Sequence, residues 1–445
     1  MKKSRYIISV EASERIYAVN LISRSAMLLS TEAYGFLESV SLKGIPATLN
    51  AEEKKLLFDL RNNLFLLDDD FDELSYIRYR TQQERFNHTQ FGLVVLPTLN
   101  CNFDCPYCFE YKSTDVLSTK NQKRVLQLVA ANLSKYHELY VQWFGGEPLL
   151  CLNILYDLSK AFLTISEKLH CRYNAMLVTN GELLIPDVTR RLAGLGVHKV
   201  QITLDGMRDL HNQTRFSKSG TGSFDRILDN IRFAFEYFEI CIRVHVTPHS
   251  IDSIHALIDY FSKIKFQEYI TELYFAPLFH YQPCISGFLY NQDDKKYMTS
   301  SEFALIQTDL LRHAASSGFA IPDFLNASYG ICTGVRNNTL VINADGHLFK
   351  CYLDVTNPNE RTGDLKSGPQ FGRNLSKWLN YEFDKDSDCY NCRFFPICLG
   401  GCPKQSFGGD SKERVCTSLK YNIEDRIKLY FEYPVADTLN SCSLG

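Results

Sequence analysis

Short apolar runs alternate with longer amphipathic segments along residues 91–278. Six runs have the length and β-branched content of buried strands: GLVVLPT, LYVQWFG, NAMLVTNG, KVQITLDG, ICIRVHVTP and LYFAPL. The intervals contain apolar residues at helical spacing, as in KNQKRVLQLVAANLSKY and SFDRILDNIRFAFEYF. Six consecutive strand–helix units predict an α/β fold with a parallel sheet, here a partial (β/α)6 barrel. Barrel enzymes carry their chemistry at the C-terminal ends of the strands, so functional residues are expected there.

Residues 1–85 precede this alternation and predict a separate small domain. IYAVNLI is typical of a strand, and STEAYGFLESV is typical of a helix capped by Ser30 or Thr31. AEEKKLLFDLRNN predicts a second helix, and LFLLDDDFDE predicts a short strand that ends in an acidic turn. The order of these elements is helix, helix and hairpin.

Composition narrows the class of protein. The 445 residues suit two or three domains, and 45% hydrophobic with 22% charged residues is typical of a soluble globular chain. A net charge of −3 gives no reason to expect nucleic acid or an anionic membrane as partner. The N-terminus lacks a signal-peptide pattern, and no apolar run approaches the roughly 20 residues that span a bilayer. The 15 cysteines are therefore expected to bind metal in a reducing cytoplasm rather than to form disulfides.

Three cysteines stand just after the first apolar run, in CNFDCPYCFE. Cys101, Cys105 and Cys108 have the spacing C-x3-C-x2-C, and three thiolates on one loop can hold three irons of a [4Fe–4S] cluster. The fourth iron is left for a ligand that is not protein. A zinc knuckle is the alternative, but it needs a fourth His or Cys, and none stands within the loop. With this triplet the sequence resembles the radical S-adenosylmethionine (SAM) enzymes.

The resemblance implies a SAM site built from the ends of later strands. Gly145, Gly146 and Glu147 match the segment that receives the SAM amino group, and two glycines allow close approach of the backbone. Thr203 stands where relatives have Ser or Thr near the ribose and methionine portion. Arg215 matches the arginine that pairs with the SAM carboxylate, for which a guanidinium is suited.

Four further residues are candidate SAM contacts with simpler alternatives. Asn180 and Asp205 end two strands, and either could instead cap the helix that follows. Tyr107, beside the third cysteine, is expected to offer backbone contacts to adenine. Leu278, at the end of the sixth strand, is expected in the adenine wall. Tyr107 and Leu278 are also plausible as packing residues.

A second cysteine array occupies the C-terminal region. Its members are Cys332, Cys351, Cys389, Cys392, Cys398, Cys402 and Cys416. This spacing resembles the SPASM extension of radical SAM enzymes, which holds two auxiliary [4Fe–4S] clusters. The resemblance assigns Cys389, Cys392, Cys398 and Cys416 to one cluster, and Cys332, Cys351 and Cys402 to another that lies nearer the substrate. A structural zinc domain is the alternative, because zinc ribbons also use C-x2-C pairs.

Two departures from the SPASM enzymes that mature sulfatases narrow the function. Those enzymes have an aspartate, the proposed base, where this chain has Tyr352. They also have a cysteine shortly before the position of Cys332, and the stretch LNASYGI has none. The near cluster is thus expected to have an open iron that can hold a substrate cysteine thiolate, which suits thioether cross-linking. A distant fourth ligand such as Cys284 is the alternative. Cysteines 151, 171, 241 and 442 are expected in the core or on the surface.

These observations predict three domains: 1–85, a winged-helix-like domain; 91–290, the radical SAM partial barrel; and 320–430, the SPASM domain. The first resembles the domain that binds an extended leader peptide by strand addition in peptide-modifying relatives. A packing cap without ligand is its alternative.

The predicted function is peptide maturation by a cytoplasmic radical SAM enzyme. The expected partners are a ribosomal precursor peptide with a leader and an electron donor such as flavodoxin or ferredoxin, with neither nucleic acid nor membrane. The expected cofactors are SAM and three [4Fe–4S] clusters. A sulfatase-maturating or other protein-oxidising enzyme is the first alternative. A non-catalytic iron–sulfur or zinc scaffold is an alternative of another class, disfavoured by the intact SAM-site motifs.

Overall fold

The computed structural model describes residues 1–12, 14–278, 298–325, 331–383, 387–407 and 416–435. Its N-terminal elements are β1 (Lys2–Lys3), β2 (Ile7–Ala12), β3 (Arg15–Asn20), β4 (Ser25–Ser30), α1 (Thr31–Lys43), α2 (Ala51–Asn62), β5 (Leu66–Leu67) and α3 (Glu73–Arg85). Strands β2, β3 and β4 form an antiparallel sheet in that order, and β1 pairs with β5. The side chain of Ser30 accepts the Ala33 N–H at 3.1 Å, which confirms the predicted cap of α1.

The N-terminal elements share a hydrophobic cluster with the C-terminal region. Tyr6 and Leu21 of the N-terminal segment are buried in the same cluster as Trp378 and Ile427. The ring of Tyr17 in β3 also stacks on Phe431, with ring centres 4.5 Å apart. Burial of large apolar side chains across this contact stabilises both parts together. The linear pattern along residues 1–85 gives no sign of this shared core.

The predicted run of six parallel strands is confirmed. The strands are β6 (Gln90–Val95), β7 (Glu138–Trp143), β8 (Arg172–Thr179), β9 (Val197–Leu204), β10 (Glu239–Val246) and β11 (Glu272–Pro277). They lie side by side in sequence order, each parallel to the next. The intervening helices are α4 (Thr119–Asn132), α5 (Leu152–Lys168), α6 (Pro186–Ala193), α7 (Arg208–Thr214), α8 (Phe224–Ala234) and α9 (Ile251–Lys263).

Side chains on the two faces of this sheet differ in character because they alternate along each strand. Val141, Val200 and Ile242 belong to the large buried core that includes apolar residues of the helices. The opposite face is polar: the Tyr274 hydroxyl donates to Gln201 at 3.0 Å. The apolar face of the sheet therefore packs against the helices, and the polar face is available for binding and catalysis.

The C-terminal region continues the barrel sheet. Its elements are α10 (Ser300–Ser316), β12 (Thr339–Ile342), β13 (His347–Phe349), β14 (Gly363–Asp364), β15 (Gly368–Pro369), α11 (Arg373–Leu379), α12 (Ser387–Asn391), α13 (Phe395–Cys398), α14 (Pro403–Phe407) and α15 (Leu419–Glu432). Strand β12 pairs in parallel with β6, with Ile342 opposite Val95. The remaining strands, β13 to β15, follow as antiparallel neighbours. The predicted C-terminal region is thus joined to the barrel through the strand that leads into the first cysteine loop.

Residues Pro148–Lys168 depart from the expectation that no segment is long and apolar enough to span a bilayer. By length and composition this one helical segment of the described chain passes that test. It contains α5, whose Leu155, Leu158 and Phe162 are buried in the core beside the barrel strands. A core helix of a folded domain passes the same test, so the segment is explained by packing.

Candidate functional site

The loop after β6 brings Cys101, Cys105 and Cys108 close to one another. Burial, followed by the charge of Glu147, raises the pKa of Cys101 to about 11, and burial, followed by the charge of Glu110, raises that of Cys108 to about 12. The Phe103 N–H lies 3.4 Å from the Cys101 sulfur and partly opposes this effect. Buried thiols of this kind become thiolates only when positive charge is supplied, as iron does. The loop therefore fits a metal cluster better than three free thiolates.

Two glycines fasten the end of β7 to this cysteine loop. Gly145 has a φ of +123°, and a Cβ there would lie 2.4 Å from the Thr98 carbonyl oxygen. A Cβ on Gly146 would lie 2.3 Å from the Asn100 carbonyl oxygen. The Gly146 N–H donates to Thr98 at 3.2 Å, and the Glu147 N–H donates to Asn100 at 2.8 Å. Only glycine permits this close approach, which fixes the distance between the cysteine loop and Glu147.

Glu147 is completely buried and held by donors from two elements. One carboxylate oxygen accepts the Leu149 N–H at 3.0 Å and the Thr179 hydroxyl at 2.8 Å, and the other accepts the Asn180 N–H at 2.8 Å. Burial nevertheless raises the pKa of Glu147 to about 7. These bonds leave acceptor capacity on the carboxylate, which can receive an ammonium group.

Asn180 bonds within the site rather than at a helix start. Its side-chain N–H donates to the Asn102 side chain at 2.8 Å, and its side-chain oxygen accepts the Glu182 N–H at 3.0 Å. Helix α6, which follows, starts after Ile185 without a side-chain cap. Asn180 therefore links the end of β8 to the cysteine loop, and the capping alternative does not hold for it.

Asp205, at the end of β9, accepts hydrogen bonds from several directions. The Tyr107 hydroxyl donates to it, the Thr214 hydroxyl donates at 2.8 Å, and His245 Nδ1 lies 3.3 Å from its other oxygen. Helix α7 has no side-chain cap, so Asp205 does not cap it. Burial would raise the pKa of Asp205, but the His245 contact and the charge of Arg215 hold it below its usual range. Asp205 is thus an anion inside the site.

Arg215 is a buried cation beside this anion. One of its terminal nitrogens donates to the Tyr107 hydroxyl at 2.9 Å. Burial opposes its charge, but Tyr107, Cys105 and Asp205 raise the pKa of Arg215 above its ordinary value. Its Nε is buried and has no hydrogen-bond partner among the described residues. A buried, unused N–H on a guanidinium is suited to an anion such as a carboxylate.

Thr203 and Leu278 border the site less closely. Thr203 is buried near the end of β9, two residues before Asp205. Leu278 directly follows β11, and its N–H donates to the Val246 carbonyl at 3.3 Å. The Tyr107 hydroxyl, in contrast, has a larger part than the expected backbone role, because it joins Asp205 to Arg215.

Four of the C-terminal cysteines line one cavity. Cys389, Cys392, Cys398 and Cys416 surround a space of about 360 Å³, part of it open to solvent, whose other walls include Phe394 and Phe395. Lys420 reaches into the same cavity and lies 3.7 Å from the Cys416 sulfur. Burial raises the pKa of Cys398, and the other three thiols add to this effect. The four sulfurs therefore line one shared site.

Cys332, Cys351 and Cys402 form a second group. Burial raises the pKa of Cys332, and Cys402 raises it further; burial, Asp354 and Cys332 raise that of Cys351. Cys284 and residues 326–330, which contain most of LNASYGI, lie outside the described residues, as does Cys442. The described part of the chain thus supplies three cysteines here.

Tyr352 connects this second group to the first cysteine loop. Its ring centre lies 6.0 Å from that of Phe109 and 5.0 Å from that of Phe144. Phe109 directly follows Cys108, and Tyr352 directly follows Cys351. The residue directly after Cys351 therefore makes an aromatic contact between two cysteine sites.

A site for a single metal ion needs several ligands close together. Among the described residues, no three His, Cys, Asp or Glu side chains converge closely enough to hold one metal ion. No disulfide joins any of the described cysteines.

Sequence reasoning missed two buried residues of the site. His245 is the last residue but one of β10 and contacts both Asp205 and the Tyr107 ring, whose centre is 5.2 Å from that of the imidazole. Glu110 is buried, and neither of its carboxylate oxygens has a hydrogen-bond partner in the described part of the chain. Burial raises the pKa of Glu110 to about 8. The strand-end position of His245 was a usable signal, whereas nothing in the sequence marks Glu110 as buried.

Known proteins resemble both the sequence and the fold. Residues 95–261 match the Radical SAM superfamily. A cysteine-type anaerobic sulfatase-maturating enzyme of Clostridium novyi is 24% identical over 374 residues, covering 75% of this chain and 94% of the relative. The structure titled native anSMEcpe with bound AdoMet and Kp18Cys peptide has a TM-score of 0.60 at 18% identity, covering 76% of this chain and 96% of that one.

A second solved structure extends over more of the chain. Streptococcus suis SuiB bound to precursor peptide SuiA has a TM-score of 0.52 at 17% identity, and it covers 93% of this chain and 98% of that one. The residues left uncovered are fewer than 85, so the alignment includes part of the N-terminal segment. At 17% and 18% sequence identity, the likeness to these two solved structures concerns the fold alone.

Proposed function

We propose that this chain, which carries a radical SAM domain over residues 95–261, is a maturase that modifies a ribosomally made precursor peptide by joining a cysteine sulfur to a carbon atom. The proposal depends on the second group of three cysteines, Cys332, Cys351 and Cys402. It also depends on Tyr352, which stands in place of a carboxylate and contacts the first cysteine loop. A group of three leaves one ligand position for a substrate thiol.

The first site fits a [4Fe–4S] cluster and SAM. Such a pair supplies, on one-electron reduction, a 5′-deoxyadenosyl radical that abstracts hydrogen from a substrate. Cys101, Cys105 and Cys108 would hold the cluster, Glu147 would accept the SAM ammonium group, and the unused Nε of Arg215 would donate to the SAM carboxylate. Thr203, Asn180 and Leu278 would border the ligand, with Asp205 and Tyr107 orienting Arg215.

The C-terminal sites fit two auxiliary clusters. Cys389, Cys392, Cys398 and Cys416 would hold the far one, within their shared cavity. Cys332, Cys351 and Cys402 would hold the near one, and a thiol of the substrate would complete its ligand set. Cysteine ligation of this kind needs a reducing compartment, so we place the enzyme in the cytoplasm with a flavodoxin or ferredoxin as electron donor.

The N-terminal segment offers a place for a leader peptide. Within the described residues, β2 and β4 are the outer strands of this sheet; α15 packs against β2, and α1 packs against β4. An extended peptide can add to such an edge through main-chain hydrogen bonds. Leu28 of β4 is 44% exposed and would contact an added strand. The solved relative SuiB was captured with its precursor peptide, which supports this use of the fold.

A sulfatase-maturating activity is the second candidate. The relative from Clostridium novyi favours it, because its match extends over 94% of that enzyme. Tyr352 disfavours it, because a phenol in an aromatic contact is a poor replacement for a carboxylate base. Incubation with a sulfatase-derived cysteine peptide separates the two activities: formylglycine formation favours this candidate, and its absence favours the precursor maturase.

Metal analysis tests the cluster assignment. Ten cysteines assigned to three clusters predict about twelve irons per chain after anaerobic reconstitution, with matching sulfide. Replacing Cys101, Cys105 and Cys108 together with alanine should leave about eight irons and abolish 5′-deoxyadenosine formation. Stoichiometric zinc in place of iron would contradict the assignment.

A substrate thiol at the near site has a spectroscopic test. Adding a cysteine-containing precursor should perturb the electron paramagnetic resonance of the near cluster, and replacing the acceptor cysteine with serine should remove that perturbation and stop cross-linking. Cys284→Ala is the control for the distant-ligand alternative. Loss of iron in that variant would show that Cys284 completes the site and would refute thiol binding there.

Leader binding is tested at the edge of β4. Because the N-terminal elements share a core with the C-terminal region, point variants are preferable to deletion of residues 1–85. Leu28→Glu should weaken precursor binding about tenfold or more and leave peptide-independent SAM cleavage unchanged. Leu305→Glu, at a residue of α10 that is 73% exposed, is the matched control. Equal precursor affinity in the two variants would refute the role of β4.

A further inference from the structure

Two histidines on neighbouring helices face each other through the same ring nitrogen. His255 lies in α9 and His313 in α10, and their Nδ1 atoms are 2.6 Å apart. The ring centres are 4.9 Å apart, and the ring planes differ by 24°. A distance of 4.9 Å between the ring centres is the one expected when both Nδ1 atoms lie on the line that joins those centres. The two rings therefore meet edge to edge, with each Nδ1 directed at the other.

A carboxylate holds the opposite nitrogen of each ring. His255 Nε2 is 2.9 Å from an Asp309 oxygen, and His313 Nε2 is 2.7 Å from an Asp259 oxygen. Because a carboxylate only accepts hydrogen bonds, both Nε2 atoms carry a proton. The two Nδ1 atoms then face each other with their lone pairs and can share one cation. Two nitrogen lone pairs at this distance repel unless a cation separates them. A proton can do so, and so can a metal ion.

We propose that His255 and His313 form a binding site for a divalent transition-metal ion such as zinc, which takes the place of the shared proton and releases it. Imidazole nitrogen suits zinc, copper and nickel. A carboxylate on the outer nitrogen of a ligating histidine is a common means of orienting the ring and raising its basicity. The four side chains occur as His-x3-Asp in α9 and Asp-x3-His in α10, a spacing that places each pair on one helix face.

The geometry allows such an ion with a small adjustment. Zinc–nitrogen bonds of about 2.0–2.1 Å at a tetrahedral angle place the two nitrogens about 3.3 Å apart, with each nitrogen lone pair about 35° off the line between them. The rings must therefore separate by roughly 0.7 Å and also tilt toward the ion. The histidine side chains are 28% and 25% exposed, and the aspartates are 63% and 69% exposed. No third His, Cys, Asp or Glu ligand converges here within the described part of the chain, so water would complete the coordination.

The consequence of binding is mechanical. Helix α10 packs against both α9 of the barrel and α15 of the C-terminal region, and its Leu310, Leu311 and Ala314 lie in the barrel core. An ion held by one histidine from each helix would therefore strengthen an existing contact between α9 and α10. The site is separate from all cysteines assigned to clusters, so it can be loaded and measured independently of them.

The test uses the full-length protein with its iron–sulfur clusters reconstituted anaerobically. Wild type, His255→Ala and His313→Ala are dialysed against zinc chloride at pH 7.5, and zinc and iron are counted in each. His198→Ala, at an exposed histidine of β9, is the matched control. Wild type and control should retain one more zinc per chain than either site variant, with equal iron. Zinc should also raise the melting temperature of wild type and control only.

Equal zinc binding in wild type and both site variants, at equal iron content, would overturn the proposal. If iron falls in the histidine variants, Asp259→Asn and Asp309→Asn replace them, because these changes leave both imidazoles in place. The aspartate variants should bind zinc about 10–100-fold more weakly. Unchanged zinc affinity in both would overturn the proposal in the same way.

Discussion

Replacing Gly146 with alanine would place a methyl carbon against the backbone of the first cysteine loop. The new Cβ would lie 2.3 Å from the Asn100 carbonyl oxygen and 2.5 Å from that of Leu99, so backbone must move by about 1 Å to restore an ordinary contact. Asn100 directly precedes Cys101 and accepts the Glu147 N–H at 2.8 Å. The movement would disturb both the cysteines and the SAM ammonium site.

The magnitude follows from two contributions. Overpacking of a rigid contact costs about 1–3 kcal/mol, and a weakened backbone hydrogen bond adds about 1 kcal/mol. A total of about 3 kcal/mol corresponds to a fall in melting temperature of roughly 6–12 °C for a domain of about 150–250 residues. SAM affinity should fall at least tenfold, and 5′-deoxyadenosine formation should fall with it.

The assays are anaerobic thermal unfolding, SAM binding by calorimetry and quantification of 5′-deoxyadenosine. Gly35→Ala is the control, because it lies within α1 and an added Cβ meets nothing within 4 Å. That change should leave SAM binding intact and raise stability by up to about 1 kcal/mol. Wild-type melting and SAM affinity in Gly146→Ala would refute the argument that contact with the cysteine loop requires glycine.

Three further variants test separate contacts. Tyr107→Phe removes the hydroxyl that joins Asp205 to Arg215, so SAM affinity measured by calorimetry should fall about 10–100-fold while iron content is unchanged; equal affinity would contradict the orienting role. His211 is buried with its pKa lowered to about 3, chiefly by burial and then by Arg215, so the folded chain stays neutral there while the unfolded chain binds a proton below about pH 6.5. Stability should therefore fall by about 1 kcal/mol from this group between pH 6.5 and 5.5, and urea unfolding of His211→Gln should lack that increment. Lys404→Met leaves the buried Asp354 without its cation, which is 2.5 Å away, and should cost about 3 kcal/mol in urea unfolding; Asp354→Asn in the same chain should recover most of this loss.

The barrel could be predicted from the sequence because its strands are buried on a face that packs against helices. Short apolar runs such as residues 92–96 and 240–242 leave little choice of structure, and all six predicted strands became neighbouring parallel strands. The glycine pair before Glu147 was also predictable, since such a pair after a strand indicates close approach of the backbone.

The contacts between distant segments could not be predicted in this way. Tyr107 carries a hydroxyl whose partners, Asp205 and Arg215, lie about a hundred residues further along the chain, and no local pattern connects them. The same holds for β12, which is only four residues long and gains its place by pairing with β6. Helix α3 was missed because only a few apolar residues, including Leu74 and Ile77, interrupt its polar sequence.

The pairing of β12 with β6 has a consequence for how such an enzyme can change. Cys101 follows one of these strands, and Cys351 follows the hairpin that begins with the other, so the span between their two sites is a property of strand register. Register shifts in whole residues of about 3.3 Å, and a shift by one turns every side chain to the other face. The reach between the sites therefore cannot drift gradually as surface loops lengthen or shorten. Enzymes with this architecture are expected to diversify their products by changing the substrate held between the two sites, while the distance between the sites stays constant.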